Sequence, residues 1–233
     1  MSAVLHPDAQ ADALVRVRGL DRAFEQGVER VFALRRIDLD VRRGDFVSIM
    51  GPSGSGKSTL LNVLALHDAG WTGAYSLDGH DVRGLGRKER QRLQRDTIGF
   101  VFQSFNLLAD LTVAENLEMP LSYRDVPRSQ REAMVAETLD RFGMVAKRGL
   151  YPSQLSGGQQ QLVAVARAVI ARPPLVLADE PTGNLHSDQA REVMELFSRL
   201  NREGTTIVQV THSEENAACG QRRIRLRDGW IAE

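Results

Sequence analysis

The sequence predicts an α/β fold with a mostly parallel core sheet, an N-terminal antiparallel β layer and an inserted helical subdomain. Three short segments, residues 46–50, 175–178 and 207–210, are almost wholly apolar, which is typical of strands buried between helices. Amphipathic helical segments separate them, and this alternation indicates a parallel sheet. Between residues 103 and 155 the strand pattern disappears and helical patterns dominate, so we expect a helical lobe inserted there.

The length and charge of the chain limit its function classes. Its 233 residues can form one two-lobed domain with a sizeable core. Thirty Lys and Arg residues balance thirty Asp and Glu residues, which argues against a dedicated nucleic-acid binder or a polybasic membrane-surface protein. No apolar run approaches the ~18 residues of a membrane span, and the N-terminus lacks a secretory-signal pattern. Because Cys219 is the lone cysteine, no intrachain disulfide is possible and a reducing cytoplasm is expected.

The predicted elements begin after a short tail. Residues 1–12 are predicted to be a polar tail, and residues 13–233 a single domain whose helical subdomain covers about 104–164. Residues 14–20 and 33–41 alternate apolar and charged side chains and form the predicted antiparallel layer. Helix starts are predicted by two capping boxes, Thr112 with Glu115 and Ser129 with Glu132. A further amphipathic helix is predicted over residues 188–200.

A glycine-rich segment, residues 51–58, follows the first core strand. This phosphate loop has the sequence GPSGSGKS, the complete G-x-x-x-x-G-K-[ST] pattern between a strand and a helical segment. Its glycines allow backbone N–H groups to turn towards phosphate oxygens, and the helix N-terminus favours the same anion. Lys57 would reach the β- and γ-phosphates, and Ser58 would place a hydroxyl on Mg²⁺. A flexible glycine turn is the alternative, but it does not require the complete pattern. The candidate nucleotide-binding residues here are Gly51, Pro52, Ser53, Gly54, Ser55, Gly56, Lys57, Ser58 and Thr59.

Two carboxylates follow the apolar segment at residues 175–178. Asp179 and Glu180 precede Pro181, which does not simply continue a strand. Both acids are therefore expected at the C-terminal end of a core strand, the edge at which open α/β sheets bind ligands. Asp179 can help to hold Mg²⁺ there, and Glu180 can orient or deprotonate an attacking water. Acids at strand ends also act as solvated residues or helix caps, and the phosphate loop favours the catalytic interpretation.

Residues 155–159, the LSGGQ segment, open an apolar helical run. Ser156 and Gln159 fit a capping box, which leaves Gly157 and Gly158 unexplained because a helical glycine costs up to ~1 kcal/mol relative to alanine. Bare backbone at a helix start suits an anion, so the Ser156 hydroxyl and the nearby amides can bind a γ-phosphate. The chain then has two phosphate-binding helix starts on different lobes, and one nucleotide need not contact both in one protomer.

Together these motifs resemble the nucleotide-binding subunits of ABC transporters, from Leu14 to Trp230. LSGGQ is the signature of that family, and the resemblance implies a P-loop NTPase fold that binds ATP and Mg²⁺. It also implies a head-to-tail homodimer, in which each ATP lies between one chain's phosphate loop and the partner's LSGGQ segment. The residues implied in trans are Leu155, Ser156, Gly157, Gly158 and Gln159.

The resemblance also implies roles for residues that carry little signal alone. Gln103, otherwise an ordinary loop residue, matches the glutamine that senses Mg²⁺ and links to the membrane subunit. His212, otherwise more often structural, matches the switch histidine that contacts the γ-phosphate and the attacking water. Phe24 matches an aromatic that stacks on adenine, although a core or surface role stays open because Phe32 lies nearby. The implied catalytic residues are Glu180, His212, Gln103 and Lys57, and the implied metal-site residues are Ser58, Gln103 and Asp179.

Two residues depart from the family pattern. His186 stands where most members have the aspartate of the D-loop, so hydrogen bonding and charge between the two ATP sites are expected to differ near neutral pH. Leu162 stands where arginine is usual, and we expect altered helix packing or surface contacts there.

Details such as VFQSFNLL and DEPTGNLHS resemble the branch that serves macrolide-export and lipoprotein-release permeases. The resemblance implies an ATPase that drives a separate membrane permease from the inner face of the cytoplasmic membrane. Residues 105–111 (FNLLADL) are either a docking groove for that permease or part of the core.

Two alternative functions stay open: a cell-division-type regulatory ATPase that transmits force across the membrane, and a weakly active ATP-binding module. The basic stretches at residues 87–95 and 222–227 are expected to be solvated faces, with no nucleic acid as partner.

Overall fold

The computed structural model describes residues 13–27 and 29–232, and the predicted polar tail at residues 1–12 lies outside them. The strands of the described part are β1 (Ala13–Gln26), β2 (Glu29–Arg42), β3 (Phe46–Met50), β4 (Trp71–Leu77), β5 (His80–Asp81), β6 (Ile98–Val101), β7 (Leu175–Asp179), β8 (Thr206–Val210), β9 (Arg222–Arg227) and β10 (Trp230–Ala232). Its helices are α1 (Lys57–Leu64), α2 (Arg87–Thr97), α3 (Val113–Ser122), α4 (Arg128–Arg141), α5 (Gly157–Val169), α6 (Ser187–Arg202) and α7 (Glu214–Ala217).

The core sheet has six strands in the order β10-β9-β3-β8-β7-β6. Every pair in it is parallel except β10 with β9. All residues of β3 and β8 are buried, as are the first four of β7. These are the three apolar segments of the sequence, so the predicted parallel core is confirmed. Because parallel strands share a C-terminal edge, the segments that follow β3, β6, β7, β8 and β9 emerge at one side of the sheet.

The second sheet is antiparallel and has the order β2-β1-β4-β5. Strands β1 and β2 are longer than the alternating segments that predict them, and β1 also pairs with β4. The predicted antiparallel layer is therefore confirmed. Apolar side chains of the two sheets and of α1 meet in one buried cluster, which includes Leu14, Val17, Leu60 and Leu177. This packing fixes the antiparallel layer against the face of the core sheet that carries α1.

The inserted helical subdomain is confirmed between β6 and β7. Helices α3, α4 and α5 pack with α6 and residues of the core sheet in a second apolar cluster, which includes Leu117, Leu139, Val163 and Phe197. The boundaries of the subdomain, about 104–164, stay a prediction. Within the described ranges, every helix falls short of the length and hydrophobicity that a membrane span requires.

One of the two predicted helix starts is correct and the other is wrong. The Thr112 N–H donates to Glu115 Oε2 at 2.7 Å, and the Glu115 N–H donates to the Thr112 hydroxyl at 3.3 Å, a complete capping box at α3. Helix α4 instead begins at Arg128 with Pro127 as its N-cap. Ser129 is already helical there, so its hydroxyl does not lie at the cap position.

Candidate functional site

The phosphate loop joins β3 to α1 and has backbone angles that favour glycine. The φ angles are 156° at Gly51, 77° at Gly54 and 101° at Gly56. A Cβ added at Gly51 would lie 2.1 Å from the Leu226 carbonyl oxygen, and one at Gly56 would lie 2.3 Å from the Ala33 carbonyl oxygen. Passing backbone therefore excludes any side chain at these two positions. Free N–H groups at a helix start favour an anion, as the predicted phosphate-binding role of this loop requires.

The remaining loop residues differ in exposure. Pro52, Ser53 and Gly54 form the exposed outer part, Ser55 is buried, and Thr59 lies in the first turn of α1. The outer part is therefore accessible to a ligand, while Ser55 anchors the loop to the fold.

Lys57 and Ser58 bring a cation and a hydroxyl to the loop. Lys57 Nζ donates to the carbonyl oxygens of Gly51 and Pro52, at 2.9 Å each. The Ser58 hydroxyl donates to Asp179 Oδ1 at 3.2 Å. Burial raises the pKa of the Asp179 carboxyl above its ordinary value, while the hydrogen bond from Ser58 lowers it. The adjoining hydroxyl and carboxylate are oxygen ligands of the kind that Mg²⁺ prefers, so the residues present fit this ion.

Glu180 and His212 follow the adjacent strands β7 and β8. Their side chains meet, with His212 Nδ1 2.9 Å from Glu180 Oε2. The Glu180 N–H donates to the Val210 carbonyl oxygen at 3.0 Å, and Glu180 has a φ of 45°, which is rare outside glycine. The Glu180 side chain is 15% exposed and that of His212 is 73% exposed. A mostly buried acid is therefore held by a histidine that remains accessible to a ligand.

Gln103 lies next to the segment that follows Glu180. Its carbonyl oxygen accepts a hydrogen bond from Asn184 Nδ2 at 3.0 Å. A Cβ added at Gly183 would lie 2.9 Å from Gln103 Nε2. Asn184 was not predicted as a site residue, because its only signal in the sequence is an amide in a turn after the two acids. The metal-site role of Gln103 stays a prediction, because its contacts here are with Gly183 and Asn184.

The LSGGQ segment forms the N-terminus of α5. Its capping box is present: the Gln159 N–H donates to the Ser156 hydroxyl at 3.4 Å, and the Ser156 N–H donates to Gln159 Oε1 at 3.1 Å. A Cβ added at Gly158 would lie 2.7 Å from Cδ of Gln189 in α6. The segment thus packs on α6, whereas the phosphate loop packs on β2 and β9. The two candidate phosphate-binding helix starts therefore have different structural neighbours.

Phe24 is an exposed aromatic on β1. It is 41% exposed, pairs with Val31 of β2, and carries the Arg22 guanidinium 3.9 Å from its ring centroid. Phe32, the competing candidate, has Arg30 and Arg35 over its own ring. Phe24 therefore has an accessible aromatic surface and is not a core residue.

The residues that depart from the family pattern lie in two environments. His186 is exposed and precedes α6 without a side-chain cap. Leu162 is buried in the second apolar cluster, and the expected change in helix packing or surface contacts stays a prediction. In the segment 105–111, Leu107 packs against the same cluster while Leu108 is 43% exposed.

The comparisons with known proteins agree on one family. A family model described as ABC transporter matches residues 34–183. The macrolide export ATP-binding/permease protein MacB of Rhodospirillum rubrum is 46% identical over 220 residues, 94% of this chain and 34% of that protein. The uncharacterized ABC transporter ATP-binding protein YknY of Bacillus subtilis is 42% identical over 218 residues, 94% of this chain and 95% of YknY.

The fold has a solved counterpart in the dimeric post-hydrolysis state of the ATP-binding cassette MJ0796 bound to ADP and Pi. That structure is 40% identical in sequence to this chain and has a TM-score of 0.87. The match covers 94% of this chain and 97% of the chain in that structure. The chain spans about a third of the length of the MacB proteins that it matches, and nearly all of YknY. The family match runs from β2 to the loop after Glu180 and so includes both glycine motifs. On this coverage and identity, the chain belongs to the ABC transporter family, as one of its ATP-binding cassettes.

Proposed function

We propose that this chain is the ATP-binding and ATP-hydrolysing subunit of a transporter and drives a separate membrane permease of the macrolide-export or lipoprotein-release type. One observation carries the ATPase part of the proposal: the phosphate loop, the Ser58–Asp179 pair and the Glu180–His212 pair all lie at the C-terminal edge of the core sheet. Similarity to MacB and YknY favours this function over the cell-division-type and weakly active alternatives.

The chain's own residues divide the chemistry among them. The phosphate loop and Lys57 bind the β- and γ-phosphates, and Ser58 and Asp179, with Gln103, hold Mg²⁺. When bound, this ion neutralises the negative charge of the phosphates. Glu180 orients the attacking water and accepts its proton, and His212 positions Glu180 and contacts the γ-phosphate. Such proton transfer to a positioned base typically contributes about 10²–10⁴-fold to the rate.

Two copies of the chain form the complete site. Phe24 stacks on adenine in one protomer, and the Ser156 hydroxyl with the amides of Gly157 and Gly158 completes the γ-phosphate site of the partner's ATP. The different structural neighbours of the phosphate loop and the LSGGQ segment support this arrangement, as does the dimeric state of the similar cassette MJ0796. Because each chain contributes its LSGGQ segment to the ATP site of the other, the interface is rotationally symmetric.

The chain acts in the cytoplasm, held peripherally at the inner face of the cytoplasmic membrane by its permease. The name of the MacB relatives joins an ATP-binding part to a permease, and this chain matches about a third of their length. The exposed Leu108, a few residues after Gln103, offers a contact for the permease. ATP binding and hydrolysis then move the permease mechanically.

Glu180→Gln tests the catalytic assignment. We expect steady-state ATP hydrolysis by the purified chain, or by its complex with the permease, to fall by at least about 100-fold because the water loses its base. The affinity for Mg-ATP, measured by calorimetry, should stay close to that of the wild type. Glu192→Gln, the same change at an exposed position of α6, is the control. Full turnover by Glu180→Gln would overturn the proposal.

A further inference from the structure

The turn between β9 and β10, residues 228–229, lies beside the phosphate loop. The cause is the register of the core sheet: β9 pairs in parallel with β3, and Arg225 lies opposite Met50. The residues that follow these two strands therefore emerge together. The Leu226 carbonyl oxygen accordingly occupies the space that a Cβ of Gly51 would need.

Gly229 in this turn bridges two other segments through its backbone. Its N–H donates to the carbonyl oxygen of Ser55 in the phosphate loop at 3.1 Å. Its carbonyl oxygen accepts from the Arg35 N–H of β2 at 2.8 Å. One peptide segment thus connects the phosphate loop to the antiparallel layer.

The three segments approach so closely that two glycines face the same carbonyl oxygen. A Cβ added at Gly229 would lie 2.9 Å from the Ala33 oxygen, and one added at Gly56 would lie 2.3 Å from it. Both contacts are with backbone, which cannot move aside as a flexible side chain can. The Ala33 carbonyl is therefore held between the phosphate loop and the turn.

Strand β2 also supports the aromatic end of the candidate site. Val31, two residues before Ala33, lies opposite Phe24 of β1. The same strand is thus tied to Phe24 at one point and to Gly229 at another. Besides the apolar cluster between the sheets, this connection links the strand pair of Phe24 to the phosphate loop.

We propose that Gly229 is a positioning residue for the nucleotide, which sets the separation between the adenine-stacking strand pair and the phosphate loop. The inference rests on the proposed function. ATP contacts both ends of the site, so its affinity depends on their separation. Inorganic tripolyphosphate contacts the phosphate loop alone, so its affinity does not depend on the separation between the two ends of the site.

Gly229→Ala tests this inference, and the chain provides a matched control. Asp78–Gly79 and Asp228–Gly229 are both Asp-Gly turns, with φ angles of 51° and 76° in the first and 49° and 83° in the second. A Cβ at Gly79 meets nothing within 4 Å. Alanine is therefore strained in both turns, but only at residue 229 does it press on the backbone of β2.

Dissociation constants of Mg-ATP and Mg-tripolyphosphate are measured by calorimetry for the wild type and both variants. We expect Gly229→Ala to weaken Mg-ATP by at least about tenfold, as displaced binding groups do, and Mg-tripolyphosphate by less than about threefold. Gly79→Ala should bind both ligands as the wild type does. If Gly229→Ala does not fold, Gly229→Asn against Gly79→Asn gives the same comparison, because asparagine tolerates the left-handed conformation better.

Equal loss of both ligands in Gly229→Ala, or unchanged affinity for Mg-ATP, would overturn the inference. A wild type that binds tripolyphosphate as tightly as ATP would also overturn it, because adenine would then contribute nothing, while the proposed function would stand. A wild type that binds neither ligand would contradict the proposed function itself.

Discussion

At the residue scale, Asp179 and Glu180 are neighbours in the chain with different partners. Asp179 accepts a hydrogen bond from the Ser58 hydroxyl at the start of α1, and Glu180 meets His212 beyond the end of β8. The left-handed backbone at Glu180 turns the chain out of the strand between the two acids. This separation fits the proposed roles, in which Asp179 holds the metal ion and Glu180 the attacking water.

Tyr75 stabilises the C-terminal end of α1, and its removal has a predictable cost. It is fully buried, and its hydroxyl donates to the Leu64 carbonyl oxygen at 2.8 Å. Tyr75→Phe leaves that carbonyl without this donor, so we expect the free energy of unfolding to fall by about 1 kcal/mol at pH 8. Urea denaturation followed by circular dichroism measures the change.

The same substitution should alter the response to high pH. Burial raises the pKa of the Tyr75 phenol far above its ordinary value. A group whose pKa is raised by folding stabilises the fold fully below its unfolded pKa, about 10 for tyrosine, and the contribution is lost as the pH rises above that. Wild type should therefore lose more stability than Tyr75→Phe between pH 9 and pH 11, roughly the range around the unfolded pKa. Parallel losses in the two proteins would contradict this.

The sequence was sufficient to predict most candidate site residues but not their contacts. The types and spacing of Lys57, Ser58 and Asp179 predicted a phosphate and metal site. The pairing of Ser58 with Asp179 joins residues 121 positions apart, and no local pattern encodes such a distance. Asn184 contacts Gln103 through its side-chain amide, and Gly229 contacts Ser55 and Arg35 through its backbone. Many polar or glycine residues in turns can make such contacts, so neither residue was distinctive in the sequence.

At the element scale, Gly99 allows β6 and α5 to pack closely. A Cβ at Gly99 would lie 2.3 Å from the Ala168 carbonyl oxygen of α5 and 3.0 Å from Pro173. Gly99→Ala must push α5 from the sheet, and we expect the free energy of unfolding to fall by about 3 kcal/mol, as in other overpacked cores. The measurement is urea denaturation.

Gly149→Ala is the control for this prediction, because a Cβ there meets nothing within 4 Å. It should unfold as the wild type does. If Gly99→Ala were equally stable, the close packing of β6 on α5 would be wrong.

The elements that sequence analysis missed have weak hydrophobic patterns. Strand β9 alternates arginines with Ile224 and Leu226, and its RRIRLR sequence was expected to be a solvated face. Its arginines are indeed exposed, and Arg223 and Arg225 lie near Glu214, while Leu226 is fully buried beside the phosphate loop. Because most of these side chains are charged, the alternation of apolar and charged residues that is typical of a strand was not recognised. In β4, only Tyr75 and Leu77 are fully buried, so the sequence has too few apolar residues there to predict a strand.

At the scale of the whole molecule, two apolar clusters pack beneath different parts of the candidate site. The cluster between the sheets contains residues of β1, which carries Phe24, and of β3 and α1, which flank the phosphate loop, whereas the second cluster contains Leu155 of the LSGGQ segment. Patterns within one chain predicted both motifs and their lobes. The dimer came from resemblance to a family, since one chain's hydrophobic pattern does not show which surface meets a second copy.

In the proposed dimer, each ATP is bound between the phosphate loop of one chain and the LSGGQ segment of another. The most direct test is the mass of Glu180→Gln by light scattering, with saturating Mg-ATP and with none, because blocked hydrolysis traps the ATP-bound state. We expect the mass to rise from that of the 25.8 kDa monomer to that of a dimer only when Mg-ATP is present. A mass that stays at 25.8 kDa while calorimetry shows ATP bound would contradict the two-chain site.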